Sequence, residues 1–218
     1  MEKIQRSYNL MYMDVVARPF DPKNAVQLLK NSHWNQHIIT FLDTAKKLQN
    51  ILLKSGNLLI QSGGPVFDVD ASLSCLVQIL SYPYYRTIEG FSVLIEKEWL
   101  LQSYPFKHPN RPYTSFHRSE GIEAGPPVTV LMKDWDAIFF HFIYCVWQIL
   151  QENTTKFEFK EEFLIFFLDS LFDSRFGTFL FNTEKDRQES GMPSFFNHIR
   201  TPKNHQGFRN PAYIPPSR

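Results

Sequence analysis

Cysteine is scarce in this sequence, which has two such residues, Cys75 and Cys145, among 218. Both fall within apolar helical patterns, so they are predicted to be buried, reduced thiols and not a disulfide framework. The spacings CxxC and HExxH, which are typical of metal sites, do not occur. The sequence therefore indicates neither a metal site nor a bound cofactor.

Excess charge and long hydrophobic runs are also missing. The formal net charge is +1, which argues against a general nucleic-acid-binding protein. The most apolar stretch, residues 137–150, is too short to span a bilayer and contains His141, predicted to be a hydrogen-bonded core histidine. The N-terminus lacks the apolar core of a signal peptide. These absences predict a cytoplasmic protein.

What the sequence does contain is apolar periodicity. Hydrophobic residues make up 43% of the chain and aromatic residues 16%, a globular composition. Apolar residues recur every three to four positions in five segments, which predict helices over 34–54, 71–81, 87–102, 134–151 and 160–173. A further short helix is predicted to begin at Asp21–Pro22, a strand at 58–61, and a short strand or packed loop at 176–181.

Composition divides the chain into three parts. A mixed lead segment, 1–20, is predicted to be extended or loop, and a folded unit, 21–182, contains a Pro-rich loop at 103–127. The remaining 183–218 has no acid after Glu189 and is predicted to be a basic, disordered tail. The alternative for this tail is a weak contact with anionic membrane or an acidic partner, through the cations Arg200, Lys203 and Arg209.

Three segments resemble the myotubularin family of phosphoinositide 3-phosphatases. The string YYRTIEGFSVLIEKEWL, residues 84–100, is similar to the segment that follows the catalytic helix of that family. Residues 34–60 and 141–182 are similar to its helix and strand before the active-site loop and to its closing helices. The resemblance implies a helix-dominated α/β fold over 21–182, namely the C-terminal part of a cysteine-dependent, protein-tyrosine-phosphatase-like domain.

The active-site loop of that family is of the type Cys-Ser-Asp-Gly-Trp-Asp-Arg. Its cysteine thiolate attacks phosphorus, and an arginine six residues later binds the phosphoryl oxygens. An aspartate of the family protonates the leaving inositol oxygen. The corresponding loop here consists of Ser62, Gly63, Gly64, Pro65, Val66, Phe67, Asp68 and Val69.

Neither of the two possible alignments of this loop restores the chemistry. Counting back from Tyr85–Arg86 places Gly63 at the nucleophile position and Val69 at the arginine position. Counting forward from the strand places Ser62 and Asp68 there instead. Neither cysteine of the chain has an arginine six positions later, so the loop is predicted to be a degenerate active site without catalytic residues. Asp68 and Asp70 are both predicted to be N-cap residues of a helix that begins near Ala71.

The resemblance is to the catalytically inactive subgroup that includes the phosphatidylinositol 3-phosphate 3-phosphatase adapter subunit. It implies a pseudophosphatase, an adaptor or regulatory partner in a heteromer with an active myotubularin-family phosphatase. Such a protein would reach membranes peripherally, through its partner. The alternative is an active phosphoinositide or protein phosphatase with an atypical nucleophile such as Ser62.

Two further features have structural interpretations. Arg86 and Glu89 are polar residues within an aromatic segment, so a buried ion pair or a helix cap is predicted for them in preference to lipid contact. The Phe-rich face of 157–168 is predicted to be core, and its alternative is a surface for a partner.

Overall fold

The computed structural model describes residues 2–12, 22–61, 68–102, 104–106, 137–173 and 175–216. Helices dominate this part of the chain, as predicted. The longer ones are α1 (Glu2–Met11), α2 (Pro22–Ser32), α3 (Trp34–Ser55), α4 (Asp68–Ser81), α5 (Ile88–Ile95), α6 (Ala137–Glu152) and α7 (Glu161–Phe172). The shorter ones are α8 (Gly177–Leu180), α9 (Glu184–Glu189), α10 (Phe195–Arg200) and α11 (Pro202–Phe208).

The strand predicted at 58–61 is not present. Within the described ranges no residue pairs with this segment, and residues 57–61 are irregular. Leu59 is 85% exposed, whereas Leu58 and Ile60 pack against the core. Alternation of buried and exposed apolar side chains is typical of a strand. A strand forms, however, only when a neighbouring strand pairs with its backbone hydrogen-bonding groups. The strand element of the α/β prediction is therefore wrong for the described part of the chain.

The end of α3 follows the sequence signal. Gly56 adopts the left-handed conformation, with φ 76°, and its N–H donates to the Leu52 carbonyl at 2.8 Å. Glycine reaches this conformation without steric cost and so ends helices commonly. The predicted helix start at Pro22 is also found, whereas the predicted Pro-rich loop lies outside the described residues except for 104–106.

Residues 1–20 were predicted to be extended or loop, and this is wrong for α1. Ile4 and Tyr8 lie four residues apart and are 6% and 2% exposed. The Tyr8 ring centroid lies 5.8 Å from that of Trp34 on α3 and 5.4 Å from that of Phe140 on α6. Burial of one apolar face therefore stabilises a helix that its polar composition concealed.

The segment 87–102 forms two kinds of helix, not one. Thr87 caps α5, since its Oγ1 accepts a hydrogen bond from the Gly90 N–H at 2.9 Å. A Cβ atom on Gly90 would lie 1.9 Å from the backbone oxygen of Tyr84, in the short 3₁₀ helix Pro83–Arg86. Beyond Ile95 the chain widens into a π-helical turn, Glu96–Leu100, where the Leu101 N–H donates to the Glu96 carbonyl at 2.9 Å.

Phenylalanine rings fill the core between α5, α6 and α7. The four phenylalanines Phe157, Phe159, Phe163 and Phe167 are all fully buried. The prediction of core for the Phe-rich face of 157–168 is therefore confirmed for these rings, and they present no surface to a partner. The pattern FGTFLF, residues 176–181, forms the buried turn α8 and not a strand.

The predicted disorder of 183–218 is wrong for the described part of this segment, which extends to residue 216. Ser194 caps α10 by accepting from the Asn197 N–H. Phe195, Phe196 and Ile199 on that helix are buried, and the Phe195 ring centroid lies 4.8 Å from that of Phe167. The charge and proline content of the segment suggested disorder, but these three apolar residues anchor it to the core.

Candidate functional site

The loop that aligns with the family's active site lies between α3 and α4. Residues 57–61 lead into it, and Ser62, Gly63, Gly64, Pro65, Val66 and Phe67 lie outside the described residues. The two remaining members, Asp68 and Val69, form the first turn of α4. The Val69 N–H lies 2.7 Å from Asp68 Oδ1, and the Ser72 hydroxyl donates to the Asp68 backbone carbonyl at 2.7 Å.

The prediction that Asp68 is the N-cap of a helix starting near Ala71 is wrong in its position. The helix begins at Asp68 itself, so this side chain belongs to the first turn, and it is 1% exposed. Asp70 lies in the same turn. Carboxylates in the first turn are stabilised by the positive end of the helix dipole, which is a structural role for both residues.

The two cysteines lie in environments opposite to that of a catalytic thiol. Cys75 on α4 and Cys145 on α6 are free thiols with no exposed surface, as predicted. Burial raises the pKa of the Cys75 thiol, and the Glu98 carboxylate raises it further. Burial likewise raises the pKa of Cys145. A nucleophilic cysteine needs exposure and a lowered pKa, so neither thiol is suited to attack phosphorus.

The family model described as the myotubularin-like phosphatase domain matches residues 1–188. The chain belongs to this family. Within the described residues, no group of three or more histidine, cysteine, aspartate or glutamate side chains could hold a metal ion. Among the described residues of this myotubularin-like chain, no helix is both long enough and apolar enough to cross a membrane.

Three relatives show how much of the family this myotubularin-like chain covers. It is 31% identical to a protein named myotubularin from Xenopus laevis, over 92% of this chain and 31% of the relative. It is 30% identical to a protein named phosphatidylinositol-3-phosphate phosphatase MTMR7 from Pongo abelii, over 85% of this chain and 26% of the relative. It is also 38% identical to a probable serine/threonine-protein kinase, pats1, from Dictyostelium discoideum, over 75% of this chain and 5% of the relative. The chain thus spans less than a third of each relative.

Contact with a membrane or an acidic partner was the alternative for the cations Arg200, Lys203 and Arg209, and Arg200 is already paired within the protein. Arg200 donates two hydrogen bonds to Glu89, at 2.8 and 3.1 Å. It lines a cavity of about 700 Å³ that also contains Lys160, His205 and Arg209. Carboxylates also lie near two other residues of this cavity, with Lys160 Nζ 3.9 Å from Glu162 and His205 Nε2 3.9 Å from Glu158.

The alternatives predicted for Arg86 and Glu89 separate in the structure. Glu89 is paired with Arg200, which lies 111 residues away in sequence. Arg86 forms no ion pair with the described residues and instead acts as a cap, donating from Nη1 to the Ile79 carbonyl at 3.3 Å in the last turn of α4. The cap prediction is confirmed for Arg86, whereas the ion pair of Glu89 has a partner that no local pattern indicates.

A small polar cluster lies in the core where α1, α3 and α6 meet. His141 has no exposed surface, and its ring centroid lies 5.2 Å from that of Trp34 and 4.6 Å from that of Phe41. Its Nδ1 lies 3.9 Å from Cys145 Sγ, while its Nε2 forms no hydrogen bond with the described residues. His141 is thus a core histidine, as predicted, but it is only partly hydrogen-bonded.

We expect His141 to make the folded protein less stable as pH falls from about 6.5 to about 4. Burial, helped by the nearby His37, lowers the pKa of His141 from 6.5 to about 4. In this interval the unfolded chain binds a proton at His141 and the folded chain does not. The free energy of unfolding should therefore fall by roughly 3 kcal/mol and stop falling, for this group, below about pH 4.

Urea unfolding at several pH values, with His141→Phe beside the unchanged chain, measures this contribution. The variant keeps an aromatic ring in the core and should lose most of the pH dependence. His33→Asn is the matched control, because His33 is exposed and has a φ of 59° that asparagine tolerates. Equal pH slopes for the unchanged chain and His141→Phe would contradict the expectation.

Proposed function

We propose that this chain is a catalytically inactive myotubularin-like domain, a pseudophosphatase that acts as adaptor or regulatory partner of an active phosphoinositide 3-phosphatase. The burial of both thiols is the observation that carries the proposal. Cys75 and Cys145 are sealed in helices, and neither is followed by an arginine at the required spacing. Residues 62–69 supply neither residue type.

The residues of the loop 62–69 cannot take over the roles of the missing cysteine nucleophile and phosphate-binding arginine. A serine hydroxyl in place of a thiolate needs an adjacent base, and residues 62–69 contain no histidine or lysine. Loss of the arginine removes charge-assisted hydrogen bonds to the phosphoryl oxygens, which contribute several kcal/mol at comparable sites. The Asp68 carboxylate would in addition repel an anionic substrate.

Membership in the myotubularin family is what suggests the class of partner. We propose a heteromer with an active myotubularin-family phosphatase, in a cytoplasmic setting and peripheral to membranes through that partner. The described residues would then correspond to the C-terminal part of a protein-tyrosine-phosphatase-like domain. A direct membrane contact through Arg200, Lys203 and Arg209 is less favoured, because Arg200 is already bonded to Glu89.

Phosphate release is the first test of this proposal. The purified chain should release no phosphate above a blank from phosphatidylinositol 3-phosphate or 3,5-bisphosphate, because the thiolate and the arginine are both missing. An active myotubularin-family enzyme in the same vesicles serves as the positive control. Turnover that disappears on Ser62→Ala would overturn the proposal and favour an atypical serine nucleophile.

Binding to an active family member is the second test. Sedimentation of the chain with such an enzyme should show a complex heavier than either protein, and the complex should change the enzyme's activity or lifetime at 37 °C. Absence of a complex with several active family members would contradict the adaptor role while leaving the inactivity intact.

A further inference from the structure

Arg86 differs from the other arginines whose side chains are partly buried. Arg187 is bonded to Glu184 at 3.1 Å and Arg200 to Glu89 at 2.8 Å. Arg86 is also half-buried, yet no carboxylate of the described residues lies within ion-pair distance of it. Among the described residues its side chain forms a single hydrogen bond, to the Ile79 carbonyl, and its Nε is buried with no hydrogen-bond partner there.

A half-buried guanidinium with no carboxylate partner among the described residues is costly to keep. Burial lowers the pKa of Arg86, which means that the surroundings disfavour its charge. Buried charges are ordinarily paired, because removing a charge from water without a partner costs several kcal/mol. Nη2 forms no hydrogen bond within the described part of the chain, and the residue as a whole is only partly buried.

The acids near Arg86 are already engaged elsewhere. The backbone N–H of Glu158 donates to the Arg86 carbonyl at 3.0 Å, so the two residues are neighbours. The Glu158 carboxylate, however, accepts from the Ile88 N–H at 3.0 Å and lies 3.9 Å from His205 Nε2. Glu89, three residues after Arg86, is held by Arg200. The carboxylates of Glu158 and Glu89 therefore bind other groups and do not pair with the Arg86 guanidinium.

The surface around Arg86 has the composition of a protein contact. Tyr82 and Tyr84, which flank Pro83 in the same turn, are 49% and 50% exposed. Tyr213 interacts electrostatically with Arg86, and the adjoining Ile214 is 68% exposed. Arginine and tyrosine are the residue types enriched at the centres of protein–protein interfaces.

We infer that Arg86 binds a carboxylate of a partner protein. The exposed Tyr82 and Tyr84 would pack against the methylene groups of the partner side chain that carries this carboxylate. A carboxylate matches the guanidinium fork, and a single positive charge balances a single negative one. A phosphate dianion fits less well, because one guanidinium would face two negative charges. The inference holds whether or not the chain has phosphatase activity.

The Nε–Hε resonance of Arg86 in the isotope-labelled 218-residue chain provides the test. The probes are acetyl-glutamate N-methylamide, its neutral glutamine analogue and inorganic phosphate. We expect a saturable shift with the glutamate compound, half complete on the order of tens of mM, and none with the glutamine compound. The resonance of Arg6, which is exposed on α1, should move only linearly with added glutamate compound.

Variants separate charge from geometry at this position. Arg86→Lys keeps the charge but loses the planar fork, so binding, followed through neighbouring backbone amides, should weaken at least several-fold. Arg86→Met keeps an apolar side chain of similar length but removes the charge, so it should abolish binding of the glutamate compound. Absence of saturation in the unchanged chain, or an equal shift with the glutamine compound, would overturn the inference. Saturation by phosphate at lower concentration than by carboxylate would overturn it too and identify a phosphate site.

Discussion

Replacing Gly90 by alanine is expected to destabilise the protein by about 3 kcal/mol, although alanine is the better helix former. The new Cβ would lie 1.9 Å from the Tyr84 backbone oxygen and 3.0 Å from Thr87 Oγ1. A backbone carbonyl cannot rotate away as a side chain can, so α5 or the 3₁₀ helix must shift. That shift would also disturb the Thr87 cap, which uses the Gly90 N–H.

Gly207→Ala is the matched control for this prediction. Gly207 also lies in a helix, α11, but a Cβ there would meet no atom within 4 Å. Its substitution should therefore be neutral or stabilise the chain by up to about 1 kcal/mol, through helix propensity and the unfolded state. Urea midpoints of the two variants check the pair, and equal shifts would show that α5 does not approach Tyr84 as closely as described.

The second large effect is expected for Phe195→Ala, which should cost about 3–5 kcal/mol. Phe195 is fully buried, and its ring centroid lies 4.8 Å from that of Phe167 and 5.3 Å from that of Phe179. Truncation removes these contacts and leaves a cavity in a core of packed rings. If residues 183–218 were instead a disordered tail, the same substitution would leave the free energy of unfolding unchanged.

Ile214→Ala provides the comparison, since Ile214 belongs to the same segment but is 68% exposed. Its substitution should change stability by less than about 0.5 kcal/mol. Thermal unfolding followed by circular dichroism distinguishes the two outcomes. A chain ended after Asn182 should lose stability at least as severely as Phe195→Ala, because it loses Phe195, Phe196 and Ile199 together.

The helices that sequence reasoning predicted well are those whose apolar period is long and uninterrupted. Helix α3 carries its pattern over many turns and ends at a glycine, so local signals alone define it. Helix α1 was missed because its apolar positions stand among charged and polar residues. For the final helices the overall charge and proline content predict disorder, whereas the local signal, the cap Ser194 followed by two phenylalanines, indicates a helix.

The prediction of a strand at 58–61 failed for a different physical reason. An apolar run indicates that some of its side chains pack against the core, as Leu58 and Ile60 do, but strand formation depends on hydrogen-bond partners that can come from anywhere in a chain. The same limit applies to ion pairs. Arg200 and Glu89 are 111 residues apart, and no spacing rule relates them. Long-range pairing is a property of the fold and not of a local pattern.

The candidate site shows the opposite balance. The lack of cysteine and arginine in residues 62–69 is a property of the sequence alone and needs no coordinates. Burial of Cys75 and Cys145 was predicted from helical periodicity and is confirmed. That Arg86 has no carboxylate partner in the described part of the chain could not be predicted, because it depends on which groups the carboxylates of Glu158 and Glu89 bind in the folded protein.

Because both thiols are buried, their reactivity can be used to measure local unfolding of the core. A thiol-reactive dye can label the folded chain only while α4 or α6 is transiently open. When reclosing is faster than labelling, the labelling rate relative to that of a free cysteine gives the opening equilibrium constant. With Cys145→Ala the signal reports on α4, and with Cys75→Ala it reports on α6. The native sequence thus contains two separate probes of local unfolding, one in each helix, without any engineered label.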